Sequence, residues 1–353
     1  MSQKPRPKPT EVLVLSEIVG LLDALKATVP PGEAEFFQHR VELVTKQTLM
    51  CYEVIIADPP TFARVADQCE RGALRWMQST YAGVDALVRH STYREYTVTR
   101  LAGVFGQAMG EYVLMHILAL ERQLQRDRAL QDAQTWGTAG AIGSGTSERY
   151  RVMPDVVVGV LGFGDIGARV AEMCAAVGAN VWACRRRHGT GLHGGAVWEP
   201  SQDALPPYVA RGFGVGDGFR EFLEGCDYVV NLLPSTPETR GLLSAARLRH
   251  CKDGAVLINV GRGDVFGSKD GEKEIMEALD APGGLRHAVL DVFAPEEPLP
   301  KDSFLWRHPK VTITPHNAAR SFPEDVARAF AANLERFRDE KPLQHTLDWN
   351  RGY

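Results

Sequence analysis

The feature that most constrains the fold of this sequence is an apolar strand followed directly by a glycine-rich turn and a helix. Val156–Leu161 reads VVVGVL and is almost wholly apolar, which is typical of a strand buried on both faces of a parallel sheet. Gly162–Gly167 follows as GFGDIG, and apolar side chains then recur at helical spacing. An ordinary glycine-rich turn is the alternative, but the flanking strand and helix favour a dinucleotide-binding unit.

Each glycine of this turn has a predicted role. We expect Gly162 to allow the tight turn, Gly164 to let the backbone approach a pyrophosphate, and Gly167 to let helix and strand pack closely. The pyrophosphate would then lie at the helix N-terminus, where free N–H groups favour an anion. The Gly- and Pro-rich stretch between Arg187 and Phe219 is interpreted as a long loop, with one short strand left open; its glycine cluster Gly212–Gly216 follows no apolar strand and is interpreted as flexible loop.

Length and composition predict a globular chain of about two domains. The chain has 353 residues, of which 44% are hydrophobic and 24% charged. A net charge of -4 gives no sign of a nucleic-acid or membrane-surface partner. No apolar run approaches the ~20 residues that span a bilayer, and the polar, proline-containing N-terminus does not resemble a signal peptide. The six cysteines contain no Cys-x-x-Cys pair, so we expect reduced thiols in a cytoplasmic enzyme.

Strand-like runs alternate with helical stretches in two series, which predicts parallel sheets. The first series occupies 1–105 and the second 106–319. A helix predicted from about Gln107 to Leu130 connects them. A final helix has one apolar face, and we expect it to return 320–353 to the first domain; the face comprises Val326, Phe330, Leu334 and Phe337. The predicted strands are Glu11–Ser16, Glu53–Ala57, Arg75–Gln78, Val156–Leu161, Asn180–Cys184, Tyr228–Leu233, Ala255–Val260, Ala288–Val292 and Val311–Thr314.

The end of the strand after the glycine turn indicates which dinucleotide is bound. An acidic residue about 20 positions beyond the turn would accept a hydrogen bond from the ribose 2′-hydroxyl of NAD. This sequence instead has Arg185, Arg186 and Arg187 there. Guanidinium groups bind a 2′-phosphate in charge-assisted pairs, so NADP(H) is favoured over NAD(H). A solvated basic turn is the alternative.

Three later segments place ionisable groups just after buried strands. Arg262 follows one strand in INVGRGD, Asp291 follows another in LDVF, and His316 follows a third in TPHN. A lone arginine between glycines or a lone histidine beside proline is usually unremarkable. All three at the ends of successive strands of one nucleotide-binding domain indicate a catalytic site, because ligands gather at the carboxyl ends of parallel strands.

These motifs together resemble the D-isomer-specific 2-hydroxyacid dehydrogenase family, and within it the glyoxylate/hydroxypyruvate reductases. The resemblance covers most of the chain and implies a Rossmann cofactor domain and a discontinuous flavodoxin-like substrate domain. The matching stretches, in family order, are WMQSTYAGVDAL (Trp76–Leu87), GFGDIG, LLPSTPETRGLL (Leu232–Leu243), INVGRGDV (Ile258–Val265), LDVF with EPLP (Leu290–Pro300) and TPHNAA (Thr314–Ala319).

The resemblance also implies roles for individual residues. His316 would donate the proton to the substrate carbonyl, and a neighbouring carboxylate would raise its pKa. Arg262 would bind the substrate carboxylate and polarise the carbonyl, with backbone N–H groups near Ala82 and Gly83 taking the rest of the carboxylate. Asp291 would accept from the nicotinamide carboxamide. The cofactor would contact Gly162, Phe163, Gly164, Asp165, Ile166, Gly167, Arg185, Arg186, Leu233, Pro234, Thr239, Val260, Gly261, Arg262, Asp291 and His316.

The sequence departs from the family pattern before the catalytic glutamate. Three residues, rather than the usual two, separate Phe293 from Glu297. Counting forward from Phe293 selects Glu296, whereas counting back from the Glu-Pro step selects Glu297, which we favour. The stretch Gly189–Gly218 also looks longer than in relatives and is interpreted as a surface insertion. Two tryptophans, Trp136 and Trp306, have two interpretations. They lie near the active site or the dimer contact, or they are ordinary packing residues.

The leading hypothesis is a cytoplasmic, homodimeric, NADPH-dependent reductase of glyoxylate or hydroxypyruvate, with no metal. A phosphoglycerate dehydrogenase is disfavoured because no regulatory domain follows TPHNAA. A formate dehydrogenase is disfavoured because it would pair glutamine with the histidine. The alternative from another class is a dinucleotide-sensing scaffold resembling transcriptional corepressors of this fold, against which the Arg185–Arg187 run argues.

Overall fold

The computed structural model describes residues 8–69, 74–91, 93–136, 150–186, 205–216, 218–267 and 269–353. These residues form two compact units. The first contains the described residues up to Val104 together with Arg320–Tyr353, and the second is Phe105–Ala319. Each unit is built on a parallel sheet flanked by helices, so the predicted α/β class with two parallel-sheet domains is confirmed.

The first unit has a parallel sheet with the strand order β2-β1-β3-β4-β5, which is the order of flavodoxin-like folds. Elements are numbered along the whole chain. The strands of this unit are β1 (Thr10–Leu15), β2 (Ala34–Gln38), β3 (Val54–Ala57), β4 (Trp76–Ser79) and β5 (Thr97–Thr99). Its helices are α1 (Leu21–Thr28), α2 (Lys46–Met50), α3 (Pro59–Ala63), α4 (Asp85–His90) and α11 (Pro323–Arg338).

The last helix of the chain packs in the first unit. The predicted apolar face of α11 is confirmed, because Val326, Phe330 and Leu334 are buried. The ring of Phe330 stacks on that of Trp76 in β4, with centroids 5.0 Å apart and nearly parallel planes. Two strands of this unit, β2 and β5, were not predicted from the sequence. The first is only half-buried and the second spans three residues, so neither produces a clear apolar run.

The second unit has a parallel sheet with the strand order β12-β11-β10-β9-β6-β7-β8, which extends the doubly wound order of dinucleotide-binding folds. Its strands are β6 (Val157–Leu161), β7 (Asn180–Arg186), β8 (Arg211–Val215), β9 (Tyr228–Asn231), β10 (Val256–Asn259), β11 (His287–Leu290) and β12 (Val311–Ile313). Its helices are α5 (Gly106–Glu121), α6 (Leu124–Asp132), α7 (Asp165–Ala176), α8 (Phe219–Gly225), α9 (Ala245–Leu248) and α10 (Gly271–Asp280).

Two expectations about this unit are wrong. The long helix predicted over 107–130 is two helices, because Gln123 takes a left-handed conformation (φ 54°) that ends α5 and begins α6. The residues Gly212–Val215 are not flexible loop but lie in β8, which pairs with β7, and Gly216 follows the strand. Phe213 is buried and packs on Trp182, and Val215 packs against the same core, which provides the burial that the glycines cannot. Most of the interpreted insertion Gly189–Gly218 lies outside the described residues, namely 189–204 and 217.

The six cysteines are free thiols, five of them buried. Burial raises the pKa of the Cys174 thiol to about 12, so this thiol stays protonated and unreactive near neutral pH. Within the described part of the chain, no helix is both long enough and apolar enough to cross a membrane.

Candidate active site

The glycine-rich turn of the second unit has the geometry that a pyrophosphate requires. Gly162 has φ +102°, a conformation that L side chains rarely adopt. A Cβ on Gly167 would lie 2.1 Å from the carbonyl oxygen of Gly162, so only glycine lets α7 start this close to β6. A Cβ on Gly164 would meet nothing within 4 Å. The backbone there faces open space, as the approach of a phosphate demands.

The helix that follows this turn presents its N-terminus to the same space. Gly164 is the N-cap of α7, and no side chain caps the helix, so its first N–H groups are available to an anion. Asp165 is exposed at the first helical position. Phe163 and Ile166 are partly buried and pack against the core beneath the turn. The residues present therefore fit a dinucleotide pyrophosphate.

The basic residues predicted to select the dinucleotide end the strand next to β6. β7 pairs with β6 in parallel and ends with Arg185 and Arg186. The side chain of Arg185 is partly buried. Arg187 lies outside the described residues. No carboxylate occupies the last two positions of β7, where an NAD-binding acid is expected.

Two buried asparagines that the sequence analysis missed hold the loops after β9 and β10 together. Asn231 and Asn259 end these neighbouring strands, are fully buried, and are joined by a 2.8 Å hydrogen bond from Asn231 Nδ2 to Asn259 Oδ1. Asn231 Oδ1 accepts from the N–H of Leu233, and Asn259 Nδ2 donates to the carbonyl of Arg262. The sequence gives one signal for these asparagines: each is the single polar residue that ends an apolar strand, YVVN or VLIN.

The two glycines beside Arg262 are required by close backbone approaches. A Cβ on Gly261 would lie 2.8 Å from the carbonyl oxygen of Leu233, and one on Gly263 would lie 2.1 Å from the carbonyl carbon of Phe293. The loops after β9, β10 and β11 therefore pack backbone against backbone. Val260 is buried at the base of this stack. The Gly-Arg-Gly sequence is explained by this packing rather than by a simple turn.

Arg262 itself is partly buried, and its Nη1 donates to the carbonyl oxygen of Gly261 at 2.7 Å. Its positive charge acts to lower the pKa of both Glu297 and His316, which places the guanidinium in the electrostatic environment of that pair. The three predicted catalytic side chains therefore share one edge of the sheet.

His316 and Glu297 form the central contact of the site. The imidazole Nδ1 lies 2.8 Å from Glu297 Oε2, and the other carboxylate oxygen accepts from the N–H of Phe293 at 2.7 Å. The hydrogen bond to Glu297 raises the pKa of His316. Burial acts to raise the pKa of Glu297, but the hydrogen bonds from His316 and Phe293 outweigh it and the pKa is lowered. Of the two glutamates that the sequence left open, the structure places Glu297 on His316; Glu296 is exposed.

Asp291 holds the loop that carries His316. Its carboxylate is 1% exposed and accepts three hydrogen bonds, from the Thr314 hydroxyl and from the N–H groups of Asn317 and Ala318. Its carbonyl oxygen accepts from the N–H of His316 at 3.0 Å. The family resemblance implies that this carboxylate contacts the nicotinamide carboxamide. In the structure, its observed partners all belong to the His316 loop.

The turn after β9 is closed by Thr239, another predicted cofactor residue. Its hydroxyl donates to the carbonyl oxygen of Pro234 at 2.6 Å and accepts from the N–H of Thr236 at 2.8 Å. The side chain is 9% exposed, so in this structure it shapes the turn from within. Leu233 is also buried, and Pro234 is partly buried.

The predicted substrate loop lies in the first unit, between β4 and α4, and contains Ala82 and Gly83, both partly buried. A buried carboxylate missed by the sequence analysis supports it. Asp58, 4% exposed, accepts from the Thr80 hydroxyl at 2.5 Å, from the Ser16 hydroxyl at 2.6 Å and from the N–H of Glu17 at 2.9 Å. Asp58 thus fastens the loops that follow β1, β3 and β4. Among the described residues, no cluster of three or more His, Cys, Asp or Glu side chains is placed to hold a metal ion.

Comparison with known proteins identifies the family. Residues 114–318 match the family model described as D-isomer specific 2-hydroxyacid dehydrogenase, NAD binding domain. Glyoxylate/hydroxypyruvate reductase A of Serratia proteamaculans is 33% identical over 273 residues, which are 75% of this chain and 77% of that protein.

Solved structures agree over nearly the whole chain. A D-isomer specific 2-hydroxyacid dehydrogenase family protein from Aeromonas salmonicida is 32% identical, with a TM-score of 0.80, and the match covers 97% of this chain and all of that one. The NADPH-dependent glyoxylate/hydroxypyruvate reductase of Sinorhizobium meliloti, in complex with NADP and sulfate, is 26% identical with a TM-score of 0.78; the match covers 98% of this chain and all of that one. The chain belongs to the D-isomer specific 2-hydroxyacid dehydrogenase family of nicotinamide-dinucleotide oxidoreductases.

Proposed function

We propose that this protein uses NADPH to reduce a small 2-oxoacid, glyoxylate or hydroxypyruvate, to the D-2-hydroxyacid. The observation that carries the proposal is the 2.8 Å contact between His316 and Glu297, next to Arg262. His316 supplies a proton donor and Arg262 supplies a cation, both at the carboxyl edge of a dinucleotide-binding sheet. The reductases named above, to which the chain is similar, support the substrate class.

The side chains of the second unit divide the work on the substrate. His316 in its protonated form donates a proton to the carbonyl oxygen as negative charge develops there. Glu297 stabilises the imidazolium and fixes the ring, because its other oxygen is anchored on Phe293 N–H. Arg262 binds the substrate carboxylate and polarises the carbonyl. We propose Ala82 and Gly83 as further N–H donors to that carboxylate. When bound, NADPH supplies the hydride that reduces the carbonyl carbon.

The preference for NADPH is proposed from the arginines that end β7. A 2′-phosphate brings about two negative charges to the end of this strand, and guanidinium groups bind phosphate in bidentate pairs. We propose Arg185 and Arg186 for this contact, from their positions at the end of β7. The complex of the Sinorhizobium meliloti reductase with NADP agrees with this proposal.

We also propose that the protein is a homodimer. Apolar side chains are exposed along α5, at the start of α6 and after α6 in the second unit; they are Met115, Leu118, Leu124 and Trp136, the last 91% exposed. Packing against the described residues of one chain therefore does not explain Trp136. Light scattering of the purified protein should give twice the mass of the 38.9 kDa chain, and a monomer mass would overturn this proposal.

The test of the function is oxidation of NADPH and of NADH with glyoxylate and hydroxypyruvate. The wild type is compared with Arg185→Asp and with Arg220→Asp, a control at an exposed arginine of α8. We expect turnover with NADPH, a KM for NADPH raised at least about tenfold in Arg185→Asp, and no change in Arg220→Asp. Turnover without a cofactor preference would refute the proposed 2′-phosphate contact. Binding of NADPH without turnover of either oxoacid would favour the non-catalytic scaffold instead.

A further inference from the structure

We infer that Tyr112 and Thr314 are positioning residues for His316, acting through Asp291. The inference rests on the proposed function and adds a support on α5 that none of the sequence motifs contains. It concerns how the proton donor is held in place, since neither residue is expected to touch the substrate.

The support is a chain of three hydrogen-bonded side chains. The Tyr112 hydroxyl lies 2.6 Å from Thr314 Oγ1, and Thr314 Oγ1 donates to Asp291 Oδ1 at 2.5 Å. A threonine hydroxyl has one proton, and here that proton goes to Asp291. Thr314 must therefore accept at its other contact, and Tyr112 must be the donor. Burial raises the pKa of Tyr112 to about 12, so its hydroxyl keeps the proton throughout the working pH range.

Beyond Asp291, the last side chain of this hydrogen-bonded series, the backbone of His316 has an unfavourable conformation. His316 has φ +49°, in the left-handed region that residues with a side chain seldom occupy. Such a residue persists only where its surroundings hold it there. Asp291 supplies that restraint, because it accepts the N–H groups of His316, Asn317 and Ala318. If the carboxylate rotated away, the bonds from the N–H groups of Asn317 and Ala318 would be lost. The bond from His316 N–H to the backbone carbonyl oxygen of Asp291 would remain.

Packing alone does not account for Tyr112. The residue is 8% exposed, and phenylalanine would fill the same space without a hydroxyl that requires a buried partner. The neighbouring hydroxyl of β12 provides a contrast. Thr312, the middle residue of β12, pairs instead with His287 Nε2 at 2.8 Å, whereas Asp291 accepts from the hydroxyl of Thr314. Thr312 and Thr314 are therefore two positions apart but make separate contacts, one with His287 and the other with Asp291.

The test compares Tyr112→Phe and Thr314→Val with Thr314→Ser, which keeps the hydroxyl, and with the matched control Thr312→Val. We expect Tyr112→Phe and Thr314→Val to lower kcat by about tenfold, because a displaced donor costs rate rather than cofactor affinity. The KM for NADPH should stay within about twofold of wild type, and Thr314→Ser should restore kcat. Thr312→Val should lose a comparable amount of Tm yet keep wild-type kcat.

The second readout is the titration of His316, followed by nuclear magnetic resonance of labelled histidine and assigned with His316→Gln. The charged groups that act on His316 are Glu297, Arg262 and Asp291. A loosened loop weakens the contact with Glu297, so the pKa of His316 should fall by about half a unit or more in Tyr112→Phe and Thr314→Val. Wild-type kcat and titration in both variants would overturn the inference, as would an equal kcat loss in Thr312→Val. This titration does not depend on turnover, so failure of the proposed function leaves the inference testable.

Discussion

His316 Nδ1 lies 2.8 Å from Glu297 Oε2, although the chain has one more residue than the family usually places before this glutamate. The loop from 293 to 297 folds back on itself, so that Glu297 Oε1 accepts from the N–H of Phe293. The extra residue is accommodated within the loop, and the carboxylate still reaches the histidine. The contact favours the imidazolium form, which is the form that donates a proton to a carbonyl oxygen.

The first prediction concerns the pH dependence of reduction. Glu297→Gln removes the charge that raises the pKa of His316, so the imidazole should lose its proton at a lower pH. Because reduction needs the protonated ring, the descending limb of the kcat/KM profile should move to lower pH, and kcat at neutral pH should fall roughly tenfold to a hundredfold. The measurement is kcat/KM for glyoxylate with NADPH between pH 5 and 9.

The control for this prediction is the adjacent glutamate. Glu296 is exposed, and Glu296→Gln should reproduce both the wild-type rate and the wild-type pH profile. If Glu296→Gln shifts the profile while Glu297→Gln does not, the assignment of the histidine partner is wrong.

The second prediction separates two glycines of the cofactor turn. Gly164→Ala places a methyl group in open space, so the Tm should stay within about 2 °C of wild type while the Kd for NADPH rises at least about tenfold. Gly167→Ala drives a Cβ to 2.1 Å from the Gly162 carbonyl oxygen, so the protein itself should be destabilised. Thermal unfolding and NADPH fluorescence titration measure the two effects. Unchanged NADPH affinity in a folded Gly164→Ala variant would contradict a pyrophosphate at this turn.

The sequence was sufficient to predict the parts of the fold that follow from periodicity and local steric demands. The apolar runs that became β6, β9 and β10 are short, are bounded by turn residues and are almost wholly buried, as is typical of the inner strands of a parallel sheet. The turn Gly162–Gly167 was predictable because each glycine answers a local backbone requirement. The edge strand β8 was not, because its stability comes from Phe213 packing on Trp182, a contact distant in sequence.

The supporting residues of the candidate site were not predictable for a related reason. Asn231, Asn259, Asp58 and Tyr112 each make at least one hydrogen bond to a residue distant in the chain, with separations from 22 residues between Asp58 and Thr80 to 202 between Tyr112 and Thr314. Periodicity carries no information about such pairings. A polar residue at the end of an otherwise apolar strand indicates that a supporting hydrogen bond is present there. It does not indicate which residue is the partner in that bond.

The third prediction concerns the substrate loop of the first unit. Asp58→Asn keeps one acceptor oxygen and turns the other into an NH2 donor, so the side chain can no longer accept from the Ser16 hydroxyl, the Thr80 hydroxyl and Glu17 N–H together. We expect the KM for glyoxylate to rise about tenfold, with the KM for NADPH within about twofold of wild type, since the loop bearing Ala82 and Gly83 loses its anchor. The exposed Asp23 of α1 supplies the control, Asp23→Asn, which should have wild-type constants. An unchanged KM for glyoxylate in Asp58→Asn would separate this carboxylate from substrate binding.

The fourth prediction concerns acid stability and depends on Glu121, a carboxylate 5% exposed in the second unit. It accepts hydrogen bonds from Arg151, Tyr228 and Arg286. Burial acts to raise its pKa, but these hydrogen bonds and the charges of both arginines outweigh it and lower the pKa from 4.5 to about 2. A depressed pKa means that the ionised group stabilises the folded state above pH 4.5. That contribution is lost as the pH falls from 4.5 toward 2.

Glu121→Gln should therefore reduce the free energy of unfolding by roughly 3 kcal/mol at pH 7, because two arginines lose a buried counter-charge. The difference from wild type should shrink as the pH falls below 4.5, since a protonated glutamate resembles glutamine. Urea unfolding followed by circular dichroism at pH 7, 5, 4 and 3 measures this. The control Glu172→Gln breaks an exposed pair with Arg169 and should cost less than about 1 kcal/mol. A deficit in Glu121→Gln that stays constant down to pH 3 would show that the carboxylate contributes through shape rather than through its charge.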